Sequence, residues 1–357
     1  MVGSAEPLNV ADYERLAAEG LEPGAHGYFA GGAGDERTLR ANSAAFDRWR
    51  IRPRVLVDVA EVDTATTVLG TEVSMPVLVA PVAFQQLAHP EGEAGMARAA
   101  AAAETLMCLS TLATARPREV AEAAPEAPRW FQLYCFRDRG VTRALAEEAV
   151  ESGYEAIALT VDAPRAGRRE RDLRSGFAIP SEVTVPSLDA AVGGHAPLKV
   201  HEIFALVDPA LTWRDLEALA SDLGLPILVK GVLTAEDARL AAEHGAAGVI
   251  VSNHGGRQLD AVPASLDVLP EVVEAVGDQL EVYMDGGVRR GTDVLVALAL
   301  GARAVLVGRP ALWGLAVDGE AGALRVLELL RAELELALCL AGCPSAGAVT
   351  RDHLRAA

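Results

Sequence analysis

The stretch from Leu225 to Val251, LPILVKGVLTAEDARLAAEHGAAGVIV, holds the pattern from which the fold is read. An apolar run, Ile227-Leu228-Val229, ends on Lys230. Residues 234–243 then read as an alanine-rich helix, and a second apolar run, Gly248-Val249-Ile250-Val251, ends on Ser252-Asn253-His254. Short apolar runs separated by a helix-length segment are the signature of parallel strands with helical crossovers.

Working outward, the same unit recurs. Strands are expected over 77–80, 106–110, 130–134, 156–161, 227–230, 248–251, 281–284 and 304–307. Helices are expected between them, over 91–104, 116–123, 141–152, 212–222, 234–243, 266–276, 291–300 and 320–337. Eight βα units in about 260 residues fit an α/β fold of the (β/α)8 TIM barrel type. A doubly wound open sheet is the alternative, but no G-x-G-x-x-G turn follows the first strand. Residues 1–60 read as an N-terminal helical segment, with helices near 10–18, 23–30 and 35–47, and 61–357 as the barrel. The fourth strand is followed by about fifty residues before the next helix, against a usual loop of about two to six. That insertion, about 170–210, has weak periodicity and is expected to form a lid over the barrel mouth.

Composition narrows the function. Of the 357 residues, 51% are hydrophobic, which excludes a disordered chain. A net charge of −18 opposes nucleic-acid or anionic-membrane binding as the main task. No membrane span is readable, and Met1 to Glu6 has neither a basic region nor an apolar signal core, so a cytoplasmic location is expected. The four cysteines read as reduced thiols, and no metal site is expected. Only Lys199 and Lys230 among the 32 basic residues are lysine. A chain that uses arginine for generic positive charge retains lysine where a compact ammonium is needed, and Lys230 ends a strand.

Barrel enzymes build their sites at the C-terminal strand ends. Those ends carry Ala80-Pro81-Val82-Ala83, Ser110, Gln132 and Tyr134, Thr160 and Asp162, Lys230, Ser252-Asn253-His254, Asp285-Gly286-Gly287 and Gly308-Arg309. The glycines of Asp285-Gly286-Gly287-Val288-Arg289-Arg290-Gly291, with Arg289, Gly308 and Arg309, suit a phosphate. His254 follows a buried strand, with Arg257 three residues on across a glycine pair. Histidine serves as a general base near neutral pH, and arginine grips a carboxylate with two hydrogen bonds. Asp162 is placed to orient that histidine. Arg165, Arg168 and Arg169 follow it, and spacing alone does not choose among them.

The segments Leu228-Val229-Lys230-Gly231-Val232-Leu233-Thr234-Ala235-Glu236-Asp237-Ala238, Ser252-Asn253-His254-Gly255-Gly256-Arg257-Gln258-Leu259-Asp260 and Asp285 to Gly291 resemble the FMN-dependent L-2-hydroxy acid oxidases and dehydrogenases. Glycolate, lactate and hydroxymandelate oxidases belong to that family. The likeness runs from Tyr28-Phe29-Ala30-Gly31-Gly32 to Leu340-Ala341-Gly342-Cys343. It implies a (β/α)8 barrel holding FMN, with a 2-hydroxy acid and O2 as small-molecule partners and a homotetrameric assembly. It also implies roles. His254 is the base, paired with Asp162; Arg257 and Arg169, helped by Tyr28, clamp the substrate carboxylate; Tyr134 bonds the hydroxyl. Lys230 meets the pyrimidine edge of the flavin, Ala80 to Ala83 press against its N5 side, and Ser110, Gln132, Thr160 and Ser252 hold the ring. Asp285 binds the ribityl chain. Gly286 belongs to the same glycine loop, and Gly287, Arg289, Gly308 and Arg309 take the phosphate. Where plant-type relatives carry a bulky Trp this chain has Leu112, and Ala166 replaces a pocket Leu. Room for a side chain larger than that of glycolate is therefore expected, with Phe84 on the pocket wall. Relatives that pass electrons to a quinone or cytochrome, and an FMN- or phosphate-binding barrel isomerase, are the competing readings.

Overall fold

The computed structural model describes residues 6–194 and 199–357. Eight parallel strands close into a barrel: β1 (Val77–Val79), β2 (Met107–Ser110), β3 (Arg129–Leu133), β4 (Ala156–Thr160), β5 (Ile227–Val232), β6 (Gly248–Val251), β7 (Glu281–Asp285) and β8 (Val305–Val307). They pair in sequence order, and β8 returns to β1 through Val305 beside Val77. The crossover helices are α1 (Gly92–Ala102), α2 (Pro117–Ala123), α3 (Arg139–Glu151), α4 (Trp213–Leu223), α5 (Ala235–Glu243), α6 (Ser265–Val276), α7 (Gly291–Ala299) and α8 (Arg309–Ala341).

Alternation along each strand divides two cores. Val77, Val79, Met107, Leu109, Phe131, Leu133, Ile157 and Leu159 point outward against the helices. Leu78, Leu106, Cys108, Trp130, Ala156, Ala158, Leu228, Ile250, Tyr283 and Leu306 fill the barrel. Trp130 and Tyr283 meet edge to face at 5.3 Å, which the small Ala156 and Ala158 alongside leave room for. A hairpin that the sequence pattern did not reveal, Thr66–Val68 with Thr71–Val73, adds Val68 and Val73 to this interior core.

Extending the inward alternation by one step places Ser110, Gln132, Thr160, Lys230, Ser252 and Asp285 directly above that apolar plug. The barrel therefore changes from hydrocarbon to a polar shelf at one level. Beyond the shelf the chain turns into loops, and the site lies there.

The N-terminal helices Val10–Gly20, Pro23–Ala30 and Arg37–Ala44 form where expected to within a few residues. They pack directly on the barrel. Asn42 and Asn253 exchange two side-chain hydrogen bonds of 2.8 and 2.7 Å, and the Asp260 carboxylate accepts the Thr38 backbone N–H at the start of the third helix. Strand Trp49–Ile51 pairs antiparallel with Leu354–Ala356, so the segment after the N-terminal helices meets the C-terminal residues.

Two readings are revised. The last helix begins at Arg309 rather than near 320, with a break at Asp318 and Gly319. Pro310 occupies the first turn, where its missing N–H costs nothing. The insertion after β4 is not featureless: it contains helices Glu170–Ser175, Pro186–Val192 and Val200–Leu206. Part of the expected lid, 195–198, lies outside the described residues.

Candidate active site

A cavity of about 1010 Å³, counting its open mouth, lies at the C-terminal end of the barrel. Every strand brings to it a residue from its own last positions or from the loop after it; β6 delivers His254 through its loop, and β7 Asp285 and Gly286.

His254 sits at φ +59°, a left-handed conformation uncommon for a non-glycine residue, immediately beyond β6. Its backbone N–H donates to Ser252 Oγ at 3.0 Å. Its Nδ1 lies 2.9 Å from Asp162 Oδ1, and its Nε2 lies 3.3 Å from the Tyr134 hydroxyl. Burial pulls the imidazole below its usual value, with Lys230 and Arg169 adding to the effect against the opposing pull of Asp162. Burial would raise the Asp162 carboxyl, but the His254 ring and Lys230 outweigh it and hold it below the ordinary range. The pair at neutral pH is thus a carboxylate fixing a neutral imidazole whose Nε2 faces the cavity. Burial, with the Asp162 charge, raises the Tyr134 phenol, which stays an O–H donor.

Backbone shape makes this pairing feasible. β5 carries a bulge at Gly231, with φ +112°, and a Cβ there would stand 2.6 Å from Asp162 Cβ. Any larger residue would push Asp162 away from His254. Gly167 plays the same part for the arginines: a Cβ would lie 2.3 Å from the Arg257 carbonyl oxygen. That close approach seats Arg169 beside Arg257.

Arg257 Nη1 donates to the Tyr28 and Gly31 carbonyls, and its guanidinium stacks over the Tyr28 ring at 4.7 Å. Arg169 Nε donates to the Arg257 carbonyl at 3.3 Å, and its guanidinium lies 5.6 Å from the Phe204 ring. Both line the cavity, Arg257 with a further side-chain interaction to Tyr28. Burial and the neighbouring Arg169 bring Arg257 down to about 10, still charged at pH 7. Two adjacent guanidinium edges are suited to one carboxylate.

On the shelf, Lys230 Nζ lies 2.9 Å from Asp285 Oδ2 and donates to Ser252 Oγ at 2.9 Å, while Ser252 donates to Asp285 Oδ1 at 2.7 Å. Burial disfavours the ammonium, but Asp285 and Asp162 more than offset it, so Lys230 stays protonated. Gln132 Nε2 donates to Thr160 Oγ1 at 3.0 Å, and Gln132 Oε1 accepts from the Thr111 backbone N–H at 3.2 Å.

Gly286, Gly287, Arg289, Gly308 and Arg309 gather at the far end. Arg309 starts α8 and donates to the Phe29, Gly31 and Gly255 carbonyls at 2.9, 2.9 and 3.1 Å. Burial pulls it well below its usual value, and repulsion from Arg257 and Arg289 adds to that, with only Glu14 opposing. Arg289 is lowered by burial too. This end therefore carries surplus positive charge beside a helix N-terminus, the electrostatics of a phosphate site.

Of the expected residues, Tyr28, Ala80, Pro81, Val82, Ala83, Leu112 and those named above meet around the cavity. Ser252 and Asp162 stand behind Lys230 and His254. Phe84 and Ala166 do not line it: Phe84 is buried behind Tyr28, ring centroids 5.5 Å apart. Phe29 and Phe204 do line it and were missed by sequence reasoning. The Phe204 ring packs edge-on against Tyr134 at 5.7 Å. It arrives from a two-turn helix too short to show a periodic signal.

Residues 17–356 match the family model described as FMN-dependent dehydrogenase. The chain belongs to this family. It is 50% identical to glycolate oxidase 3 of Arabidopsis thaliana over 356 residues, 98% of this chain and 96% of that protein. It is 51% identical to the L-lactate oxidase of a Nostoc species over 352 residues, 96% of each. Its fold superposes on mandelate oxidase solved with (S)-4-hydroxymandelic acid with a TM-score of 0.92, at 43% identity over 98% of each chain. The oxidase is thus an FMN-dependent enzyme acting on a 2-hydroxy acid. The cavity fits that cofactor on its own terms: a polar shelf for a flat heteroaromatic ring, and an arginine-rich end whose charge a phosphate dianion completes. Among the described residues no group of acids, histidines and cysteines could hold a metal, and no helix is long and apolar enough to cross a membrane.

Proposed function

We propose that the oxidase converts an L-2-hydroxy acid with an apolar side chain to the 2-oxo acid, with O2 as the final electron acceptor and H2O2 as product. The observation that carries this reading is the joining of one oriented base to two guanidinium edges across a single cavity: His254 Nε2 beside Tyr134, with Arg257 and Arg169 above.

Bound FMN supplies the two-electron acceptor. Ser110, Gln132, Thr160, Lys230 and Ser252 would hold its ring, Asp285 its ribityl chain, and Gly287, Arg289, Gly308 and Arg309 its phosphate. Arg257 and Arg169 fix the substrate carboxylate, which orients C2 and its hydroxyl toward His254. The Tyr134 O–H donates to the substrate oxygen. His254 Nε2 receives the proton released on oxidation, and Asp162 at Nδ1 stabilises the imidazolium that results. Leu112, Val82, Ala83 and Phe204 supply apolar wall for the substrate side chain. Phe204 adds a bulky ring to this wall beside Tyr134 and Arg169, so a small or medium side chain fits better than an extended one.

The test is anaerobic mixing of the yellow holoenzyme with glycolate, L-lactate, L-2-hydroxybutyrate, L-2-hydroxyoctanoate and L-mandelate, followed by air. Bleaching by L-lactate or L-2-hydroxybutyrate, with fast recovery and stoichiometric peroxide, is expected. Bleaching with slow recovery would overturn oxygen as acceptor and favour a dehydrogenase. A flavin that no 2-hydroxy acid bleaches would overturn the reaction itself.

A further inference from the structure

Helix Glu170–Ser175, the first turn of the insertion after β4, carries four ionisable residues in six. Three have surface settings. Arg171 Nη2 lies 2.7 Å from Glu36 Oε2, Arg174 pairs with Glu170, and Arg171 and Arg174 are both exposed. Asp172 and its backbone neighbour Leu173 break the pattern in opposite senses: Leu173 is 57% exposed, whereas Asp172 is 7% exposed. Both carboxylate oxygens of Asp172 are buried without a hydrogen-bond partner. Burying a carboxylate unbonded is costly unless nearby positive charge offsets the loss. Burial is the larger influence on Asp172 and raises its carboxyl above the usual value, while the charges of Arg257 and Arg169 pull it back in part. Neither makes an ion pair with it within 4.0 Å, and Asp172 does not line the cavity that both arginines line.

We propose that Asp172 is a positioning and selectivity residue that subtracts one charge from the arginine pair. Two guanidinium groups less one carboxylate leave a single surplus positive charge. One substrate carboxylate then neutralises the site without residual attraction, so a monoanion is held firmly enough to react and loosely enough for the 2-oxo acid to leave. The proposal rests on the reading that Arg169 and Arg257 hold the substrate carboxylate. A structural role for Asp172 would instead be met by any hydrogen-bonding side chain of similar size, and its loss would weaken anion binding.

The experiment is a titration of the FMN-loaded oxidase with acetate, a non-reacting monocarboxylate, read from the visible flavin spectrum. Variants D172N, D172S, D172E and R257M are compared with the wild type. Asp172→Asn and Asp172→Ser should each bind acetate about tenfold more tightly, the scale of one charge at several ångströms. Asp172→Glu should return the affinity to near the wild-type value. In turnover, Asp172→Asn should lower KM without raising kcat. Unchanged or weaker acetate binding in whichever of D172N and D172S retains FMN would overturn the proposal. Acetate binding in R257M equal to wild type would overturn the carboxylate reading beneath it, and the two failures are thereby told apart.

Discussion

Lys230 and Arg309 are cations of the same cavity, set on opposite sides of the barrel rim and balanced in opposite ways. Lys230 is buried and already has its counter-ion: Asp285 at 2.9 Å, with Ser252 bonded to both. Its charge is secured by neighbours, and the network closes on itself. Among the described residues Arg309 donates only to neutral carbonyls, and it is pushed far down by burial and by repulsion from Arg257 and Arg289. The difference teaches which part of the site is a prebuilt surface and which is completed by an anion. The shelf around Lys230 is a closed charge network; the arginine end carries positive charge of the kind an anion would balance.

The largest effect is expected where the two regions meet, at His254, whose backbone hangs on the Ser252 hydroxyl of the lysine network. His254→Asn should slow anaerobic flavin bleaching by about a thousandfold, the usual weight of a positioned general base, with FMN content unchanged. Stopped-flow absorbance measures it. Next, Lys230→Met should leave Asp285 charged, buried and unpaired. A loss of about 3–5 kcal/mol in unfolding free energy is expected from urea titration of the apoprotein. A smaller and more selective loss should follow Arg309→Met. FMN affinity should fall by about 10–100-fold while riboflavin affinity stays near wild type, because only the phosphate needs this end. Equal losses for both flavins, by fluorescence titration, would erase the contrast between the two regions. The smallest change should come from Glu14→Gln. Glu14 lies 3.8 Å from Arg289 at the protein surface, so its removal should tighten FMN binding by no more than about threefold, and less at high salt.

What the sequence made legible follows the same division between regular and irregular parts. Strand β6 was located residue for residue, and β5 and β7 to within two residues at either end, because buried parallel strands read as short apolar runs. The shelf was legible for the same reason: a polar residue that ends such a run has only the barrel mouth to face. The start of α8 was not, since Gly308-Arg309-Pro310 reads equally as a turn. Phe204, Phe29 and Asp172 were out of reach for a different reason. Each gains its meaning from partners far away in the chain, such as Tyr134 for Phe204 and Arg257 for Asp172, and each sits on a helix of eight residues or fewer, without a telling period. Ala166 was assigned to the pocket through the family pattern, but its backbone neighbour Gly167 turns against residues 257 and 258, and Ala166 packs against the hydrophobic core without lining the cavity.

The central claim is that a neutral His254, oriented by Asp162, accepts the substrate proton. The pH dependence of the anaerobic bleaching rate tests it directly. Burial lowers the folded pKa of His254 below the ordinary 6.5, so the base form is present above the folded value and is lost as pH falls through it. The same sign makes this residue's contribution to stability decline from about pH 6.5 downward, toward that folded value. The account predicts a rate that is level from pH 8 to about 6.5 and then drops about tenfold per unit on an acid limb whose midpoint lies below 6.5, a limb absent in His254→Asn. A midpoint above 6.5, or a wild-type profile matching that of His254→Asn, would contradict it.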